Sequence, residues 1–172
     1  RQMCIRDRCG IKSVVTDELG RAKIDNDKCI SCGSCVYMCP FGAIVDKGQL
    51  FQLIHAINKG EKVVAIIAPA FWGQFGDNVT PGQIREAMKM LGFASLEEVA
   101  IGADLCTIDE AEDFIAEVPE KIPFMATSCC PAWSMMAKKL FPERANCISM
   151  AMTPMVLTAR MIKQANPDDR IC

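Results

Sequence analysis

Apolar positions along the chain change their period near residue 50. Upstream, residues 9–47 are rich in Cys, punctuated by Gly and without a long periodic run. From there the texture becomes strands alternating with amphipathic helices. Leu50, Leu53, Ile54 and Ile57 fall at i, i+3, i+4 and i+7, which predicts a helix stopped by Gly60. Residues 63–68, VVAIIA, are an apolar and mostly β-branched run of the kind that a buried parallel strand requires. Thr80-Pro81-Gly82-Gln83 is a capping box with Pro at the first helical position, and it opens a helix carrying Ile84, Ala87, Met88 and Leu91 up to Gly92. A short strand is predicted over 98–101. Thr107 to Glu110 is a second capping box, followed by Ala111, Phe114, Ile115 and Val118 on one face. A third strand is predicted over 123–127. Pro131 opens a helix with Trp133, Met136, Ala137 and Leu140, and Thr153-Pro154 opens a last one with Met155, Ala159 and Ile162. This order implies an α/β fold with a mostly parallel sheet flanked by helices. The expected organisation is a small Cys-rich domain over 1–48 and an α/β domain over 49–172.

Composition adds three constraints. Lys plus Arg number 19 against 21 Asp plus Glu, a net charge of −2, so no basic field exists to hold nucleic acid. No run reaches the roughly 18 apolar residues of a membrane span, and no signal peptide opens the chain, so the expected location is the cytoplasm. Eleven Cys cannot all pair and are many for a reducing compartment. Metal or redox chemistry is the reading to test by spacing. The chain starts with Arg and stops at Cys172, which suggests a fragment of a longer protein, and RQMCIRDR at residues 1–8 fits nothing downstream and is expected to be non-native.

Cys29, Cys32, Cys35 and Cys39, followed by Pro40, form C-x2-C-x2-C-x3-C-P, the spacing of the bacterial ferredoxin run. One loop of this spacing wraps three corners of a [4Fe–4S] cubane, and Gly33 and Ser34 let backbone N–H groups approach the sulfides. Zinc would use two separated pairs of ligands, and disulfides would need an oxidising compartment. In two-cluster ferredoxins the fourth Cys of each run ligates the other cluster. Cys9 stands where an upstream run would end, which groups it with Cys29, Cys32 and Cys35 and assigns Cys39 to a second cluster. The other ligands of that second cluster should fall at Ile5, Gln2 and before residue 1, where no Cys stands, and Cys4 is out of register. A one-cluster domain using Cys29 to Cys39 with Cys9 free is the alternative.

Thr127-Ser128-Cys129-Cys130-Pro131-Ala132-Trp133 stands just ahead of a predicted helix, where strand ends place ligands and the helix N-terminus lowers a thiolate pKa. Taken alone, two small core thiols or a vicinal disulfide would also fit. The segment resembles the first active-site motif of the [FeFe]-hydrogenases. The resemblance extends from Cys9 onward through Ala68-Pro69, Gly102-Ala103-Asp104-Leu105, and Ser149 leading into Thr153-Pro154-Met155. The family's later Cys motifs are absent from the chain.

The resemblance implies an enzyme that interconverts protons, electrons and hydrogen. It implies [4Fe–4S] clusters, and an H-cluster made of a cubane and a di-iron unit with CO, cyanide and a bridging dithiolate amine. It implies ferredoxin or another redox protein as electron partner. By matching position, Cys130 is the first of four H-cluster ligands and Cys129 is the thiol that exchanges a proton with the bridging amine. Ala68 and Pro69 pack against the di-iron unit, and Glu110, Ser149 and Asp113 form the outward proton relay. Asp113 stands where the family has Glu, and Ala132 and Met152-Thr153 also depart from the family pattern. Glu110 and Asp113 are i, i+3 on one helix, and carboxylate, hydroxyl and thiol can each carry a proton. The plain alternative gives Glu110 to the Thr107 capping box and Asp113 to solvent. Cys106 and Cys147 are expected in the core, His55 at the surface, and Met135, Met136, Met150, Met152 and Met155 as an apolar lining. An iron–sulfur assembly or sensory relative, or a plain ferredoxin-type carrier, are the competing classes. Cys129 argues against the first and residues 50–172 against the second.

Overall fold

The computed structural model describes residues 2–172, with side chains from Ile5 onward. The expectations about Gln2, Cys4 and the position before residue 1 lie outside the described side chains. By contacts the chain forms two compact units, Arg1–Gly48 with Cys130–Ile148, and Gln49–Cys129 with Ser149–Cys172.

In the first unit, helix α1 (Gln2–Arg8) precedes an antiparallel hairpin of β1 (Val14–Thr16) and β2 (Ala22–Ile24). Gly20 at φ 75 makes its turn, and the Asp17 carboxylate accepts from the Leu19 and Arg21 N–H groups. The one-turn helix α2 (Ser34–Tyr37) follows. Ile5, Val14 and Cys39 form its small core. Ile5 of α1 is buried in this core. Helix α6 (Pro131–Leu140) and a 3₁₀ turn over Pro142–Cys147 complete the unit. Thus 130–148 groups with the Cys-rich residues rather than with the rest of 49–172. Lys139 of α6 supplies one reason, since its ammonium donates to the carbonyls of Asn26 and Cys29.

In the second unit, helix α3 (Leu50–Asn58) ends at Gly60, which adopts φ 75 as expected of a stop residue. Its inward residues are Leu53, Ala56 and Ile57, while Leu50 and Ile54 are exposed. Strand β3 (Val63–Ile67) is central, and Val63, Val64, Ala65 and Ile67 are all buried, as the two-faced apolar run requires. It pairs in parallel with β4 (Ser95–Glu98) and with β5 (Arg170–Ile171), giving the order β4-β3-β5. Helix α4 (Pro81–Met90) opens with the expected capping box. The Gln83 N–H donates to the Thr80 hydroxyl at 3.3 Å, and the Thr80 N–H donates back to Gln83 Oε1 at 2.8 Å.

Three predicted elements differ. The strand expected at 98–101 lies at 95–98, and helix α5 (Val99–Glu117) begins directly after it. Val99, Gly102 and Cys106, spaced three and four apart, form its buried stripe, which is a helical period and not an alternation. The Thr107 capping box is therefore no helix start: Thr107 sits in mid-helix, and its hydroxyl donates to the Ala103 carbonyl four residues back at 2.8 Å. The strand expected at 123–127 reduces to a single bridge residue, Ala126. The second neighbour of β3 is β5, which is two residues long and leaves no periodic signal.

Helix α7 (Pro154–Ala165) starts where Thr153-Pro154 predicts and packs on α5. Gly102 makes that approach possible. A Cβ there would strike the Thr158 hydroxyl and stand 2.7 Å from the Pro154 carbonyl. Gly102→Ala is expected to push α7 away and cost about 1–3 kcal/mol, read as a lower denaturant midpoint. Gly82→Ala, whose Cβ meets nothing nearer than 3.9 Å, serves as the control and should be neutral or better.

Candidate iron–sulfur and thiol sites

The Cys29–Cys39 loop is curled by two left-handed residues, Ser31 at φ 56 and Gly33 at φ 75. It is anchored where the Cys29 N–H donates to the Asp25 carbonyl at 2.9 Å. A cavity of about 200 Å³ opens inside it, and Cys9, Cys29, Cys32 and Cys35 all line it, with Gly10 and Gly33 keeping its walls low. Cys39 does not line this cavity. It is buried against Val14 and accepts from the Ala43 N–H at 3.3 Å.

Three of the cavity thiols have polar neighbours at their sulfurs. The Ser13 hydroxyl lies 3.1 Å from Cys9 Sγ, and the Ser13 N–H donates to the same sulfur at 3.3 Å. The Ser31 N–H donates to Cys29 Sγ at 3.4 Å, and the Ser34 hydroxyl is 3.4 Å from Cys32 Sγ. Burial pushes the Cys9 thiol up, but the Ser13 hydroxyl and N–H, with the Val14 and Ile11 amides, hold it below its ordinary value. The Ser34 hydroxyl and N–H do the same for Cys32. The ligand form of Cys is the thiolate, which these donors favour. Cys39, outside the cavity, is lowered as well, by the Ala43 and Phe41 amides, so the cavity lining and not the pKa singles out the ligand set. Among the described residues no three His, Cys, Asp or Glu close on a single metal-ion position. A cubane asks something different: each of its four irons takes one thiolate, so the sulfurs stand apart around a shared cavity. Four thiols, small walls and amide donors fit that group. A larger cavity of about 750 Å³ along the hairpin holds no thiol, and its Asp17 and Arg21 are engaged with each other.

In the second unit, α5 and the loop after Ala126 enclose a pocket of about 190 Å³. Glu110 lines it from α5 and Cys129 from the loop, with Cys106, Thr107, Ser128 and Met152 around them. Ser128 donates from its hydroxyl to the Ala151 carbonyl at 3.2 Å, which ties the thiol loop to the segment before α7. The Cys106 thiol donates to the Met152 carbonyl at 2.9 Å, and burial, with Asp109 and Glu110 nearby, pushes its pKa up, so it stays a protonated core thiol.

The other candidates lie elsewhere. Ser149 is buried, donates its N–H to the Ala126 carbonyl and accepts the Ala151 N–H, but it does not line the pocket. Asp113 is exposed, one turn further along α5. Ala68 and Pro69 sit at the carboxyl end of β3, where Ala68 caps a 3₁₀ helix, and both are exposed. Cys130 is the N-cap of α6, and its carbonyl accepts the Ser134 N–H at 3.0 Å. Cys147 is buried and His55 exposed. Of the five Met, Met152 lines the pocket and Met150 is 86% exposed. Cys106 and Thr107 were missed as pocket residues because α5 was expected to start at Thr107. Extended back to Val99, the same helix places Ala103, Cys106, Thr107 and Glu110 on one face.

The family model described as iron only hydrogenase large subunit, C-terminal domain, matches residues 61–171, and that of the 4Fe-4S binding domain matches residues 22–45. The chain belongs to the iron-only hydrogenase large-subunit family. Iron hydrogenase 1 of Clostridium pasteurianum is 33% identical over 197 residues, covering 83% of this chain and 34% of that protein. Cytosolic Fe-S cluster assembly factor NAR1 of Candida dubliniensis is 26% identical, covering 88% of this chain and 27% of that protein. A solved [FeFe]-hydrogenase, studied for oxygen inactivation of its H cluster, superposes with a TM-score of 0.61 at 23% identity, over 71% of this chain and 37% of its own length, which shows a shared fold. The chain thus spans about a third of the length of these relatives. As a member of this family it carries a 4Fe-4S binding segment and an α/β domain, and no helix among its described residues is long and apolar enough to cross a membrane.

Proposed function

We propose that this chain is part of an [FeFe]-hydrogenase that interconverts protons and electrons with hydrogen, taking electrons from ferredoxin or a similar redox protein. The observation that carries the reading is that Cys129 and Glu110 line one pocket, a thiol and a carboxylate brought together across 19 positions of sequence. When bound, an H-cluster supplies the redox chemistry of hydrogen. The residues of this chain move the proton: as Cys129 Sγ takes one up, the thiol releases its own proton to the Glu110 carboxylate. Ser149 and Asp113 then extend the route outward. Thr107 and Met152 line the same pocket. Cys130 at the head of α6 is one H-cluster ligand, and Cys9, Cys29, Cys32 and Cys35 hold a [4Fe–4S] cluster that delivers electrons.

A second reading, an iron–sulfur assembly factor, is favoured by the similarity to NAR1. Full-length protein, matured anaerobically and supplied with a reduced dye, separates the two. A hydrogenase evolves hydrogen and shows infrared bands of CO and cyanide. An assembly factor holds clusters with neither. The 172-residue chain, reconstituted alone, is expected to bind iron and evolve no hydrogen, since Cys130 is its one assigned H-cluster ligand. Hydrogen from that chain would overturn the ligand assignment.

A further inference from the structure

We propose that Lys139 is a positioning residue that sets the reduction potential of the cluster in the Cys9, Cys29, Cys32, Cys35 cavity. The inference rests on that ligand set. Lys139 lies in the last turn of α6, and its ammonium donates to the Cys29 carbonyl at 2.7 Å and the Asn26 carbonyl at 3.0 Å. Local structure does not need these bonds. The turn from Asp25 to Cys29 is already closed by the Cys29 N–H on the Asp25 carbonyl, and Lys28 is paired with the Asp25 carboxylate. A segment 110 residues away therefore brings a cation onto the main chain of the first residue of the Cys run.

The physical effect has a definite sign. A cubane with four thiolates is anionic, and accepting one electron from the redox partner adds one negative charge while no bond forms or breaks. A fixed ammonium beside the ligand residue stabilises the reduced form more than the oxidised form, so it raises the potential. Lys139 is exposed, so solvent and salt weaken the effect. The hydroxyl of Ser13 at Cys9 and that of Ser34 at Cys32 act in the same direction, but they are neutral and local to their own Cys.

The test is a potentiometric titration of the anaerobically reconstituted chain, followed by EPR of the reduced cluster, with iron counted in each sample. Lys139→Met is expected to keep its iron and to shift the one-electron equilibrium about tenfold toward the oxidised form, about 59 mV lower. Lys139→Arg should stay near the parent value, and raising the salt should lower the parent potential more than that of Lys139→Met. Lys139→Gln keeps a donor for the two carbonyls but no charge, so it should follow the Met variant. A fully loaded Met variant with the parent potential overturns the proposal, and so does a Gln variant that matches the parent. If Met loses iron through the loop itself, the Gln and Arg pair still decides. Cys9→Ala with unchanged iron and potential would instead overturn the ligand set, a separate failure that leaves the Lys139 comparison readable through Cys29.

Discussion

Cys129→Ala in the full-length protein is expected to leave the infrared bands of CO and cyanide in place and to cut hydrogen evolution by about 10²–10⁴-fold, the usual cost of deleting a general acid or base. Cys129 lines the pocket shared with Glu110, and among the proposed relay groups those two alone lie in it. With the thiol gone, the proposed route loses the group that hands the proton to Glu110; Cys106 and Thr107 also line the pocket, but their hydrogens are donated to the Met152 and Ala103 carbonyls. Cys130→Ser should behave differently: it keeps the proton route and loses or remodels the cluster bands, because an alkoxide is a poor match for soft iron. Cys130 heads α6 and does not line the Glu110 pocket, which Cys129 does. Cys129→Asp is expected to recover part of the rate, since a carboxyl can also pass a proton. Bands lost in Cys129→Ala but kept in Cys130→Ser would reverse the two assignments.

Cys9→Ala and Cys39→Ala are expected to part company in the reconstituted chain. Cys9 shares its cavity with Cys29, Cys32 and Cys35, while Cys39 is buried in the small core beside Val14. Outer partners of a metal site already cost 10–100-fold in affinity when removed, and a direct ligand should cost more than that. Cys9→Ala should therefore lose most of its cluster or leave a three-iron remnant visible by EPR. Cys39→Ala should hold the full complement at that site. The same experiment carries a pH signature. The Cys32 thiol, bonded by the Ser34 hydroxyl and N–H, and the Cys9 thiol, lowered by Ser13 despite its burial, ionise below the ordinary thiol range. A thiol whose folded pKa is lowered favours folding and metal above its unfolded pKa, and that advantage fades as pH falls through the lowered value. Cluster uptake is thus expected to decline on acidification, and Ser13→Ala should move that decline to higher pH. An equal loss of iron in Cys9→Ala and Cys39→Ala would argue that the Cys29–Cys39 run closes the cluster by itself.

How much of this could be read along the chain varies with the range of the interaction. The Thr80–Gln83 capping box, the stops at Gly60 and Gly92, and the start of α7 at Pro154 all form where local chemistry predicts them. These signals involve residues within four positions of each other, and the backbone groups they satisfy are their own. The Thr107–Glu110 box has the same letters and fails as a helix start, because the Thr hydroxyl is satisfied equally well by the carbonyl of Ala103 inside a longer helix. Packing decided between the two. Gly102 lets α5 lie against α7, and the gain from that contact extends the helix back to Val99.

By itself the sequence determined the local frame: a ferredoxin-spaced loop, a central apolar strand, the caps of several helices, and the thiol pair at the head of α6. Each of these is encoded by neighbours, through spacing, dihedral preference or periodicity. Tertiary structure alone decided the rest. It put Cys106 and Thr107 into the pocket of Glu110 and Cys129, and it set Cys9 rather than Cys39 at the cavity of Cys29, Cys32 and Cys35, a choice that the spacing had left between two alternatives. It set the two-residue β5 beside β3 and laid Lys139 on the Cys29 carbonyl. These pairings join residues from about 20 to more than 100 positions apart. No local signal carries them, because closing such loops costs chain entropy that only the burial and hydrogen bonding of the assembled units can offset.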